Sequence, residues 1–126
     1  MKLVEKIDDL NGAIIGAVAE YHYPLLDKLF SSGAIQRENA PSEESAYRKQ
    51  LYGRVHYTIM RSADFQYRQH IDRAAQELAI SPLVITRTPV YCALSKKSAI
   101  SLDEFSKAQE RLLQKTSFSD YLQRYF

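Results

Sequence analysis

Apolar residues are distributed along the chain in runs and stripes that alternate in period. The longest run, Ala13-Ile14-Ile15-Gly16-Ala17-Val18-Ala19, lies between Gly12 and Glu20. It has strand length and no polar alternation, which predicts a central strand covered on both faces of a parallel sheet. Pro24 then fits the first turn of a helix, where its missing N–H costs nothing. Leu25, Leu26, Leu29 and Phe30 follow on one helical face, and Gly33 supplies a left-handed cap. A short strand near Ile35 to Glu38 precedes Ser42, an N-cap for a helix running to Tyr52 and stopping at Gly53. Glu43 and Glu44 favour the positive end of that helix.

Val55 to Met60 is rich in β-branched and aromatic residues and predicts another strand of the same sheet. Ser62 or Asp64 can open a helix reaching about Leu78. Pro82 and Pro89 flank a short extended piece, Leu83 to Thr86, and Val90 to Leu94 predicts a last apolar strand. Ser101 and Glu104 form a capping box for a helix with Phe105, Ala108, Leu112 and Leu113 on its apolar face. Ser117 and Asp120 open a final short helix bearing Tyr121, Leu122 and Tyr125. Strands alternating with helices imply an α/β chain with a mostly parallel sheet. Gly16, inside a strand, suggests close approach by another backbone.

Composition narrows the function classes. The 126 residues are 45% hydrophobic and 25% charged, enough for one ordinary globular core. The net charge of +2 comes from 17 basic and 15 acidic residues spread along the chain, so no footprint for nucleic acid or an anionic membrane stands out. Neither a dinucleotide-binding glycine motif nor a P-loop occurs. His22, His56 and His70 lie far apart without ligand-spaced partners, so neither a metal nor a cofactor is expected. The serines Ser42, Ser62, Ser101 and Ser117 stand at helix starts, where capping accounts for them, and no catalytic constellation is indicated. Cys92 excludes an intrachain disulfide and reads as a small buried hydrophobe. The N-terminal residues Met1 to Asp9 are neither a secretory signal nor a membrane span.

Three local patterns, in order, resemble one family. Asp9-Leu10-Asn11-Gly12 through Ile15-Gly16 looks like the D-L-x-G-K-x-I-G stretch that opens the second lobe of family-3 extracellular solute-binding proteins, the polar amino-acid-binding group. Leu51-Tyr52-Gly53-Arg54-Val55 is similar to their L-x-x-G-R-V step into a strand, and Tyr91-Cys92-Ala93-Leu94-Ser95-Lys96 to their Y-x-A-x-S-K strand. The resemblance runs from Lys6 to Phe126 and implies a three-layer lobe of a periplasmic-binding-protein-like fold. Residues 1–88 would form the second lobe. Residues 89–126 would supply a return strand and C-terminal helices that pack on the first lobe, which this chain lacks.

The resemblance further implies non-catalytic binding of a small polar or anionic solute for an ABC transporter permease. The parent protein would lie in the periplasm or outside the cell, with any export signal upstream of Met1. The ligand site would comprise Glu20, Tyr21, His22 and Tyr23, whose loop offers backbone N–H groups to a carboxylate, and Arg61, which stands where amino-acid-binding members carry an acidic residue. A guanidinium has donors only, so Arg61 favours an anionic or non-amino-acid ligand. The alternatives are a tyrosine-rich edge that merely covers the strand, and a surface arginine beside a helix start. At the level of function, a ligand-sensing or regulatory domain and a degenerate interaction module remain open. Without the first lobe, binding should be weak, and the uncovered tail helices favour a homo-oligomer.

Overall fold

A computed structural model of the chain describes residues Lys2 to Arg124. Two compact units divide the chain between Arg87 and Thr88. The first contains a three-stranded parallel sheet in the order β2-β1-β3. Its elements follow one another as β1 (Ile14–Val18), α1 (Pro24–Ser32), β2 (Gln36–Ala40), α2 (Glu43–Leu51), β3 (Tyr57–Thr58) and α3 (Ser62–Ile71), with 3-10 turns at Ile7–Leu10 and Arg73–Glu77. The second unit carries α4 (Leu102–Lys115) and α5 (Phe118–Gln123). The chain is thus α/β, as its alternating periodicities predict.

β1 is central because it alone is apolar on both faces, and four of its five residues are buried. In register with β2, Ile15 pairs with Arg37 and Ala17 with Asn39; with β3, Ile15 pairs with Tyr57 and Gly16 with Thr58. Ile15 and Ala17 pack in a core with Val4, Leu10, Ala13, Tyr23, Leu26 and Ile35, and Leu29 and Phe30 of α1 close over it. The opposite face of β1 meets α2, where the Thr58 hydroxyl donates to the Ala46 carbonyl at 3.3 Å. Gly16 lies on that side, and a Cβ there would stand 3.0 Å from Thr58 Oγ1 and 3.2 Å from Val55 Cγ2. A neighbouring side chain, more than a backbone, therefore excludes larger residues. Tyr47, Phe65 and Ala75 form a second small core between α2, α3 and the 3-10 turn.

Helix starts follow the local chemistry of the sequence. Pro24 occupies the first turn of α1, and Gly33 ends it at φ 77°. The hydroxyls of Ser42, Ser101 and Ser117 accept from the amides of Ser45, Glu104 and Asp120, and Glu104 closes the capping box by accepting from the Ser101 amide.

Four expectations need correction. Only Tyr57–Thr58 of the Val55 to Met60 run is regular strand; single amide bonds from His56 to Ile14 and from Ile59 to Gly16 extend it on either side, and the Ile14 amide donates to the His56 ring at Nδ1, 2.8 Å away, instead of to a strand carbonyl. The helix from Ser62 ends at Ile71 instead of Leu78. Asp72 is extended there, its carboxylate accepting from the Ala74 amide and the Tyr47 hydroxyl, and this local bonding competes with helix continuation. Val90 to Leu94 forms no strand, since an apolar run becomes one only where a partner edge takes up its N–H and C=O groups, and among the described residues the second unit has no strand for it to pair with. Cys92 is consequently exposed, not buried. Of the aromatic face expected on α5, Tyr121 and Leu122 are half-buried, while Tyr125, like Met1, lies outside the described residues.

Candidate functional site

In a parallel sheet every strand ends at the same edge, and here α1, α2 and α3 all begin where β1, β2 and β3 end. Three helix N-termini therefore bring orphan N–H groups and partial positive charge to one side of the first unit. The chain leaves β1 toward α1 on one face and β3 toward α3 on the other. A crevice between the ends of two such neighbouring strands is where open α/β sheets bind ligands. By topology that position lies between the loop Ala19 to Tyr23, which follows β1, and Ile59 to Arg61, which follows β3.

The loop is held tightly. Glu20 adopts φ 66°, a left-handed conformation costly for a residue with a Cβ. The Tyr21 amide donates back to the Val18 carbonyl at 3.2 Å. Arg37, reaching across from β2, donates through Nη2 to the carbonyls of Val18 (2.9 Å) and Tyr21 (2.7 Å), and through Nε to Asn39 Oδ1 at 2.7 Å. Its guanidinium lies 5.3 Å from the Tyr23 ring centroid and 5.6 Å from that of Phe30.

Glu20, Tyr21 and His22 are exposed at the edge. Tyr23 differs: its ring belongs to the core, and its carbonyl accepts from the amides of Leu26 and Asp27 at the start of α1. Burial pushes the Tyr23 hydroxyl above its ordinary value, while the charge of Arg37 draws it down and that of Glu43 adds to the rise.

Arg61 is exposed but not alone. It pairs with Asp64 at 2.7 Å and reaches Glu43 at 3.6 Å. Burial, then a hydrogen bond with Asp64, raises the Glu43 carboxyl above its usual range, and Arg61 opposes the rise. Acceptors that Arg61 lacks therefore stand beside it, and its positive charge is offset locally. In the sequence Glu43 reads as a helix-start charge and Asp64 as a helix opener, and Arg37 belongs to no motif. One signal was present for Arg37: Ile35, Arg37 and Asn39 alternate with period two, so a charge shares the face of a residue that is 1% exposed.

Among the described residues no three His, Cys, Asp or Glu side chains come together as a metal site, and no helix is long and apolar enough to cross a membrane. Compared with protein-family models, curated proteins and solved structures, the chain matches none.

Proposed function

We propose that this chain is the second lobe of a two-lobed, periplasmic-type solute-binding protein, and that it contributes half of a cleft for a small polar or anionic solute. The finer fold, a three-layer lobe of the periplasmic-binding-protein type, belongs to the same proposal, as do service to an ABC transporter permease and a periplasmic or extracellular parent. One observation carries the reading: the loop Glu20 to Tyr23 and Arg61 leave adjacent, paired strands at the same carboxyl edge of the sheet. The edge also combines donors, from the helix N-termini, with the acceptors Glu43 and Asp64, the mixture a small polar solute needs for orientation. Binding proceeds without chemistry, by closure of two lobes around the solute.

A half-site binds weakly, so the test must register millimolar affinity. In a two-dimensional amide NMR titration of the full chain with amino acids and dicarboxylates, shifts should concentrate at residues 20–23 and 59–64. Shifts elsewhere, or none with any of these solutes, would sink the reading. The exposed apolar residues Leu102, Leu112 and Leu113 on α4 favour a second reading, an interaction module that has lost its ligand, and this is what an absence of shifts would leave standing.

A further inference from the structure

We propose that His56 is a pH-sensitive clasp on the pairing of β1 with β3, closed while its ring is neutral and opened when the ring takes up a proton. The clasp needs no ligand, so it stands apart from the solute-binding reading.

The clasp exists because the two strands are out of step. On β1 the Ile14 and Gly16 carbonyls are two residues apart, whereas the amides that donate to them, His56 at 2.9 Å and Ile59 at 3.0 Å, are three apart. One extra residue on the β3 side, as in a bulge, carries its backbone past the Ile14 amide, and that N–H donates to Nδ1 of the His56 ring at 2.8 Å. His56 thus binds Ile14 twice, its own amide donating to the carbonyl and its ring accepting from the amide. With two residues, β3 is the shortest strand of the sheet, so few backbone bonds back up this one.

An imidazole nitrogen accepts only through its lone pair. The bond therefore requires the neutral ring with its proton on Nε2. Protonation turns Nδ1 into a donor aimed at another donor, so proton uptake and closure exclude each other. By linkage, the clasp adds stability above the histidine titration and loses it as pH falls through that range. Among the described residues no carboxylate lies within ion-pair distance of His56. Charged groups on the flanking segments are engaged elsewhere or unpaired. On the 3-10 turn before β1, Asp9 accepts from Lys2 and from the amides of Glu5 and Lys6, and Asp8 enters no ion pair among the described residues. On α2, whose Gln50 amide approaches the His56 carbonyl at 3.5 Å, Arg48 pairs with Glu44 and Lys49 with Glu38. Arg54 acts on Glu38 as well, and the Tyr57 hydroxyl donates to the Lys2 carbonyl at 3.1 Å. The state of the ring is thus left to solution pH, and histidine is the side chain whose charge ordinarily changes between about pH 5 and 8.

The experiment follows amide hydrogen exchange in the full chain as wild type, His56→Asn and His56→Ala, at about pH 8 and about pH 5, with each rate divided by that of a free amide at the same pH. An imidazole free in water titrates near about 6.5, so at about pH 5 its charged form exceeds the neutral one about thirtyfold, which bounds the effect. We expect wild-type protection of the Ile14 amide to fall by about ten- to thirtyfold, while the Ile59 amide, bonded to Gly16 further along, changes less than about twofold. Both variants should lose the pH dependence: asparagine keeps an uncharged acceptor near the Nδ1 position, and alanine has none. Long-range proton–nitrogen NMR of the wild-type ring at about pH 8 should show the Nε2–H tautomer. Ile14 protection that does not change with pH overturns the clasp, as does an Nδ1–H tautomer. An equal fall at Ile59 means general loosening in acid and overturns it too. So does a pH dependence that persists in either variant, which would belong to His22, His70 or the raised Glu43 carboxyl. If His56→Ala does not fold, wild type and His56→Asn decide by the same readouts.

Discussion

Substituting Gly16 tests how closely β1 and β3 are joined beneath the crevice. An alanine Cβ at this position would lie 3.0 Å from Thr58 Oγ1 and 3.2 Å from Val55 Cγ2. Two effects of opposite sign compete. Replacing glycine by alanine inside a strand stabilises by roughly 0.5–1 kcal/mol, because the unfolded chain loses freedom. Overpacking costs typically about 1–3 kcal/mol when neighbours cannot shift. Thr58 has little room to give: it is β-branched, and its hydroxyl is bonded to the Ala46 carbonyl of α2. Overpacking should therefore win, and Gly16→Ala should destabilise by about 1–2 kcal/mol. With a urea slope of roughly 1–2 kcal/mol/M for a domain this small, the midpoint should fall by about 1 M. Far-UV circular dichroism would follow it, with amide NMR of β1 identifying the unit that unfolds. In a Thr58→Ala background the closest contact is gone, and the same substitution should cost less than about 0.5 kcal/mol. An unchanged midpoint for Gly16→Ala, or an equal cost in both backgrounds, would refute the reasoning.

Tyr47 gives a prediction for alkaline pH. Burial first, then the hydrogen bond to Asp72, pushes its hydroxyl from 10.0 up to about 12. A group whose folded pKa is raised lends stability that is complete below the unfolded value and is lost as pH rises toward the folded one. Stability should thus decline between 10.0 and about 12, and urea midpoints for Tyr47→Phe should show a shallower decline; equal slopes would contradict this. On α4, Leu102, Leu112 and Leu113 are 68%, 48% and 52% exposed. A helix of 14 residues is only about 21 Å long, so two copies pairing through this face bury well under the roughly 800 Å² per partner of a stable interface. Self-association should therefore be weak, with a dissociation constant on the order of 10–100 μM, and Leu112→Asp should abolish it. Sedimentation showing a strict monomer at all concentrations would remove the claim. The Cys92 thiol is exposed, so it should react fully with a thiol reagent in native buffer; reaction only after denaturation would show it buried.

Elements specified by neighbouring residues were legible in the sequence. The run Ala13 to Ala19 holds the strand Ile14–Val18 because nothing in it is polar, and α1 begins at Pro24 and is capped by Gly33 because their backbone preferences act within a turn. The caps Ser42, Ser101 and Ser117 reach amides three residues away. The common edge of Glu20 to Tyr23 and Arg61 also followed from strand direction alone. Tertiary structure decided what depends on a distant partner. Val90 to Leu94 has strand composition but pairs with no strand among the described residues, and Cys92 is exposed. Arg61 reads as a lone cation until α2 brings Glu43 beside it, and Arg37 reads as one charge in a polar strand until pairing with β1 lets its side chain reach the carbonyls of Val18 and Tyr21. The physical reason is range. Backbone preference and capping act over a few residues, whereas the sign of a charge's surroundings and the pairing of a strand depend on segments that only folding brings together.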